Sequence, residues 1–213
     1  MKTKIITIAH QKGGVGKSTI TINLAVELSK QFKVTIIDLD YQKSISIFNE
    51  TRKNNNLSTL NIKHINNQKE LINIFKTTKD IILIDSGGFD SDLNRIALAG
   101  ADFIITPLSD NLIEIYGLEV FKNILKDLKN INNNIKANIL LNNVNPQTKK
   151  AIKELKKYIQ KNNEYFTLLN TIIRRRVAFP KSFEKGKSVI EIDKNSKASK
   201  EINQLIDEII INI

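Results

Sequence analysis

The chain has no cysteine among its 213 residues. That excludes disulfides, iron–sulfur clusters and thiolate metal sites, and it fits a reducing cytoplasm. No apolar run approaches the ~20 residues needed to span a bilayer. The first apolar run, Ile5–Ala9, is too short for a secretory leader. There is no internal repeat and no linker-like stretch, so residues 1–213 read as one domain with a sizeable core. With nine residues before His10, no N-terminal helix-turn-helix domain is expected. Histidine is almost absent: His10 reads as a packing or hydrogen-bonding residue, and His64, in an expected strand without acidic or histidine neighbours, as structural.

Acids are scarce in one part of the chain. Residues 1–120 carry 14 Lys/Arg against 13 Asp/Glu, residues 121–200 carry 19 against 6, and the last thirteen have a net charge of −3. A basic half of this kind suits a polyanionic partner. Compositional drift in a chain heavy in Ile, Asn and Lys is the other reading.

What is present is concentrated in Lys12–Thr19, Lys-Gly-Gly-Val-Gly-Lys-Ser-Thr. It is a variant of the phosphate-binding pattern G-x-x-x-x-G-K-[ST], with Gln11 in the place of the first glycine. Gly13, Gly14 and Gly16 let backbone N–H groups close around phosphate oxygens. Val15 and Thr19 complete the cradle, Lys17 supplies charge to the β/γ-phosphates, and the Ser18 hydroxyl suits Mg²⁺. A short apolar strand, Lys4–Ala9, precedes the loop, and Ser18–Lys30 follows with apolar residues at helical spacing. Strand, glycine loop and helix N-terminus together make an anion site, which implies nucleoside triphosphate binding.

Further apolar, β-branched runs fall at Lys33–Asp38, Leu60–Ile65, Ile81–Asp85, Phe103–Thr106, Ala137–Leu141 and Phe166–Leu169. Gln68–Thr77, Leu93–Gly100, Leu112–Leu128 and Thr148–Lys161 read as helices between them, and Arg52–Ser58 and Asn130–Asn134 as surface connections. Alternating strand and helix predicts an α/β fold: a doubly wound, mostly parallel sheet of about seven strands, with ligands at the carboxyl ends of the strands. Two of those ends carry acids. Asp38 and Asp40 are spaced i, i+2, so both can face one ligand, and such a pair needs a cation or water network between them. Asp85 ends an apolar strand in the Walker B manner, suited to Mg²⁺ held through water. Ser86–Asp90 follows as a glycine-bearing loop able to move.

Lys12 opens the octet five residues before Lys17, and in this the chain resembles the deviant Walker A ATPases, the ParA and MinD partition family. The resemblance extends through Asp38–Ser44 as switch I, with Tyr41 where the family has proline, and through Asp92–Leu108. It implies that Lys12 reaches across an ATP-sandwiched homodimer to the partner's phosphates, that Asp38 sits near Mg²⁺, and that Asp40 orients the attacking water. It implies ATP and Mg²⁺ as cofactors and hydrolysis to ADP and phosphate. Asn142, then Asn143, stand where relatives hydrogen-bond adenine; an Asn turn is the other reading of that segment. Residues 172–189 resemble the family's Arg-rich loop.

A small member of this family would partition plasmid or chromosomal DNA. The expected partners are nonspecific DNA in the ATP state and a ParB-like centromere-binding adaptor, and the expected location is cytoplasmic and nucleoid-associated. The expected DNA contacts are Arg174, Arg175 and Arg176, then the helical stripe with Lys150, Lys153 and Lys157. The rival is a MinD-like or protein-cluster positioning ATPase of the same fold; a metabolic P-loop kinase is disfavoured because Lys12 has no role in one. The tail Ser199–Ile213 puts Ile202, Leu205, Ile206, Ile209, Ile210 and Ile213 on one stripe whose polar side carries Glu201, Asp207 and Glu208. That reads as core packing, so no membrane partner is expected.

Overall fold

A computed structural model describes residues 3–145 and 149–213. In chain order the elements are β1 (Lys4–Ile8), α1 (Lys17–Leu28), β2 (Val34–Asp38), α2 (Ser44–Asn54), β3 (Ile62–Lys63), α3 (Gln68–Thr77), β4 (Ile81–Asp85) and α4 (Asp92–Ala99). There follow β5 (Phe103–Leu108), α5 (Glu114–Leu128), β6 (Ala137–Val144), α6 (Lys149–Lys161), β7 (Phe166–Arg174), α7 (Ala178–Glu184), α8 (Val189–Ile192) and α9 (Lys197–Asn212). The strands form a single sheet in the order β3-β2-β4-β1-β5-β6-β7, and each neighbouring pair is parallel.

The strands are apolar along nearly their whole length because both faces are covered. Alternate residues serve opposite cores. Ile6, Ile8, Ile36, Leu83 and Ile105 pack with α1, α2 and α9 on one face. On the other, Ile5, Ile37, Ile82 and Ile84 meet α3 and α4, and Ile104, Ile139 and Leu141 meet α5 and α6. Within α9, Ile202, Leu205 and Ile209 are fully buried and Ile206 and Ile213 pack partly buried against them, so this part of the tail's apolar stripe belongs to the core, while Ile210 is 40% exposed. Its Glu208 also accepts the backbone N–H groups of Asn170 (2.7 Å) and Thr171 (3.0 Å) on the edge strand β7.

Several segments depart from the sequence expectation. The expected strand Leu60–Ile65 is reduced to Ile62–Lys63, because the Asn49 amide takes both the N–H (2.7 Å) and the C=O (3.2 Å) of Leu60. His64 therefore lies just past the strand, exposed. Arg52 is no surface connection: it lies in the last turn of α2 and is 3% exposed. Its guanidinium donates to Ser58 O, Gly186 O and the Glu191 carboxylate. β7 runs on through Arg174, so the arginine cluster begins in a strand, and a helix, α7, replaces much of the expected loop. Thr148, where the sequence starts its fifth helix, lies outside the described residues.

Candidate functional site

The carboxyl ends of β1, β2 and β4 converge on the loop between β1 and α1. Gly14 (φ +76°) and Gly16 (φ +95°) occupy the left-handed region, which glycine alone enters without strain. The helix opens at once: Ile20 N–H donates to Gly16 O at 3.0 Å. The unpaired N–H groups of the first turn of α1 thus face the loop. Lys17 is buried, with Nζ donating to Lys12 O at 3.1 Å. Burial pushes its pKa down, and Asp85 and Asp40 pull it back. The loop lines a cleft of about 380 Å³ together with Ser18, Thr19, Asp40, Tyr41 and Phe89.

Asp38 and Asp85 are register partners at the ends of adjacent parallel strands, which brings two acids to one level. Asp85 is wholly buried and accepts from Ser18 Oγ at 2.6 Å and Thr21 Oγ1 at 3.3 Å. Burial pushes its pKa up to about 7; the Ser18 hydrogen bond opposes this, and the charges of Asp38 and Asp40 add to it. Asp38 is also raised by burial, against the pull of Lys43, whose Nζ donates to Asp38 O at 3.1 Å. Asp38 Oδ1 accepts from Asp40 N–H at 3.1 Å, and its buried Oδ2 has no hydrogen-bond partner among the described residues. One hydroxyl and two carboxylates of raised proton affinity fit a hard divalent cation, whose charge would favour the ionised forms. Among the described residues no group of three or more His, Asp or Glu could hold a metal ion, so such a cation would draw further ligands from phosphate and water. Asp40 is half-buried on the cleft wall. Asp90 is directed elsewhere, in an ion pair with Arg95 at 2.8 Å.

Lys12 has partners that its sequence neighbourhood does not disclose. Its Nζ donates to Glu114 Oε1 at 2.9 Å, and Ser109 Oγ donates to the same oxygen at 2.7 Å. Glu114 opens α5 and is 2% exposed, whereas the Lys12 side chain is half-exposed. Lys12 N–H donates to His10 Nδ1 at 2.9 Å, so the neutral imidazole carries its proton on Nε2, 4.0 Å from Glu114 Oε2. Burial pushes His10 down to about 4, with Glu114 raising it and Lys17 and Lys12 lowering it. His10 is a buried hydrogen-bonding residue, as its place beside the loop suggests. Nothing in the sequence marks Glu114 or Ser109, because an acid in the first turn of a helix is common.

At the other end of the loop, a cavity of about 160 Å³ is lined by Thr19, Asn142, Asn143, Arg174, Arg176 and Phe179 along with the loop itself. Asn142 Nδ2 donates to Val15 O at 2.7 Å, so one of its two N–H groups is engaged by the phosphate loop. Asn143 is exposed, with φ +56°, and accepts from Arg175 Nε at 3.3 Å. The arginine cluster is not one uniform cationic patch. The buried Glu201 carboxylate accepts from Arg176 Nη2 at 2.6 Å and Arg174 Nη1 at 3.3 Å, which offsets much of their charge, while Arg175 is exposed. Lys150, Lys153 and Lys157 are all exposed on α6, and Lys157 pairs with Glu154 at 2.9 Å.

The family model for the CobQ/CobB/MinD/ParA nucleotide binding domain matches residues 6–189. An uncharacterized protein of Methanocaldococcus jannaschii is 27% identical, with 98% of this chain and 99% of that one covered. The maintenance of carboxysome distribution protein A of Halothiobacillus neapolitanus is 21% identical, with 98% and 97% covered. A putative plasmid partition protein of Borrelia burgdorferi B31, solved bound to AMPPNP, superposes with a TM-score of 0.76 at 24% identity over the whole of both chains.

Proposed function

Since the chain belongs to the CobQ/CobB/MinD/ParA family of nucleotide-binding domains, we propose that it is an ATPase that moves or spaces DNA by ATP-dependent dimerisation. The observation that carries this reading is the pairing of two lysines in one loop. Lys17 is buried against the phosphate cradle, while Lys12 is half-exposed on its rim. A buried lysine suits the chain's own nucleotide, and a rim lysine suits a nucleotide held by a second copy.

The residues divide the work as follows. The N–H groups of Gly13–Thr19 and the Lys17 ammonium bind the phosphates. Ser18 and Asp85, with Asp38 behind them, would hold Mg²⁺, which when bound offsets the phosphate charge. Asp40, on the cleft wall, orients the water that attacks the γ-phosphorus, and the bond from that phosphorus to the bridging oxygen of ADP breaks. Lys12 supplies a cation in trans where negative charge develops. The chain's own bond between Lys12 and Glu114 would have to open for this.

In the ATP state the dimer binds duplex DNA through the basic half of the chain, with nucleoid association as the consequence. An adaptor protein triggers turnover, and hydrolysis releases the DNA. A second reading, in which the cargo is a protein assembly, is favoured by the likeness to the H. neapolitanus protein over nearly the whole of both chains. A MinD-like membrane role has less support, because Ile202, Leu205 and Ile209 of α9 are taken up by the core, although Ile210 and Ile211 are exposed. The deciding experiment is binding to random-sequence duplex with ADP, ATP and a nonhydrolysable analogue. Binding confined to the triphosphate states supports the DNA reading, and equal binding in all three would overturn it.

A further inference from the structure

Asn142 lies in β6 and is 6% exposed. Its Nδ2 donates to Val15 O at 2.7 Å across 127 residues of sequence. Val15 O can only accept, so the nitrogen end of the amide must face it, and its direction is set by chemistry. The contact falls where the phosphate loop is most demanding. Gly16 stands at φ +95°, and a Cβ there would meet Asn142 Nδ2 at 2.3 Å. Immediately beyond Gly16, α1 begins with Lys17 and Ser18. The amide therefore fills the side-chain space of the one residue whose left-handed turn aims the first N–H groups of the helix.

We infer that Asn142 is a positioning residue for the phosphate loop: by holding Val15 O it sets the Gly16 turn, and so acts on phosphate affinity rather than by reading the base. The inference rests on the reading of the cleft as a nucleotide site. It departs from the sequence expectation, in which the amide's donor and acceptor both serve adenine. Here one of the two amide N–H groups is committed to the loop, which pins the amide against Val15 O.

Base reading and loop positioning differ in what happens to a ligand that has no base. The test compares wild type, Asn142→Ala and the isosteric Asn142→Asp, in which an oxygen replaces the donor opposite Val15 O. Binding of ATP and of inorganic tripolyphosphate, each with Mg²⁺, is measured by calorimetry, with thermal melting as a check that each variant is folded. The positioning role predicts that both affinities fall together, by roughly tenfold for the loss of one buried hydrogen bond. The ³¹P resonance of the β-phosphate of bound ADP should shift as well, a change that a general loss of stability would not produce in the bound, folded fraction. Should ATP affinity fall while tripolyphosphate affinity and the resonance stay at wild-type values, Asn142 reads the base and the inference is wrong. Unchanged affinity for both ligands in both variants would overturn it equally. If wild type binds neither ligand, the nucleotide-site reading itself fails, a result distinct from either of these.

Discussion

The Lys12 ammonium sits 2.9 Å from a Glu114 carboxylate oxygen, and the two residues differ sharply in burial, 49% of the lysine side chain being exposed against 2% of the glutamate. The glutamate cannot follow the lysine into solvent. If Lys12 leaves, the buried carboxylate keeps, among the described residues, only the hydrogen bond from Ser109 Oγ, a state that costs free energy. The ion pair therefore holds Lys12 within its own chain, and the trans role proposed for it requires dimerisation to offset the loss of that pair.

Lys12→Gln is expected to keep nucleotide affinity within a few-fold of wild type while abolishing ATP-dependent dimerisation and turnover. Glu114→Gln, which keeps the side-chain shape and lowers the cost of releasing Lys12, should strengthen the ATP-dependent dimer several-fold. Light scattering at graded protein concentrations with ATP checks both. A Lys12→Gln protein that still dimerises rules out the trans role. Lys17→Ala should instead lose nucleotide affinity itself, because its ammonium lies within the cradle.

Asp40→Ala should bind ATP and dimerise yet barely turn over, since what it loses is the orientation of water. Such a trapped dimer would stay on DNA. Single-turnover hydrolysis at the wild-type rate would remove the role from Asp40. Asp90, tied to Arg95, is a poor substitute, which leaves Asp38 as the alternative.

Asp85 gives a dependence on pH whose sign can be worked out. Its usual pKa of 3.8 is raised to about 7 in the fold, chiefly by burial. Between those values the folded protein keeps a proton that the unfolded chain has lost, so the group costs stability as pH rises through the window. Asp85→Asn removes that cost. The stability difference between variant and wild type should grow from near zero at pH 4 to at most about 4 kcal/mol above pH 7, at 1.36 kcal/mol per pKa unit. His10, pushed down to about 4, gives the opposite slope between there and its usual 6.5, but it is present in both proteins and cancels in the difference. Urea denaturation without Mg²⁺ at pH 4.5 and 7.5 measures it. A variant no more stable than wild type at pH 7.5 would contradict the assignment. The same variant should lose Mg²⁺-dependent turnover.

For DNA, the Glu201 pairs alter which charges are worth reversing. Acids at Arg174 and Arg176 would face a buried carboxylate and disturb α9, so a loss of binding there would be ambiguous. Arg175→Glu, and Lys150, Lys153 and Lys157 reversed together, act on exposed side chains. If these residues touch phosphate, each set should weaken binding uniformly across sequences. The salt dependence should become shallower by roughly 0.9 for each phosphate that is no longer neutralised. Wild-type affinity in both variants at low salt would make the charge of residues 121–200 a compositional matter.

The parts legible in the sequence are those with a local cause. Gly14 and Gly16 are needed where φ is positive, and the four apolar residues before Asp85 make a strand covered on both faces. Strand–helix alternation then brings the acids at the ends of β2 and β4 to the loop after β1, so Lys17, Ser18, Asp38, Asp40 and Asp85 could be named from spacing alone. Glu114, Asn142 and Glu201 could not be given their partners that way. Each meets its partner across 25 to 127 residues of chain, at no fixed period, and what selects it is the cost of leaving a buried polar group unpaired. Only packing decides which groups are buried together. For the same reason three consecutive arginines, alike in sequence, differ in the fold: Glu201 pairs with the outer two, while Arg175 turns to the exposed Asn143 amide.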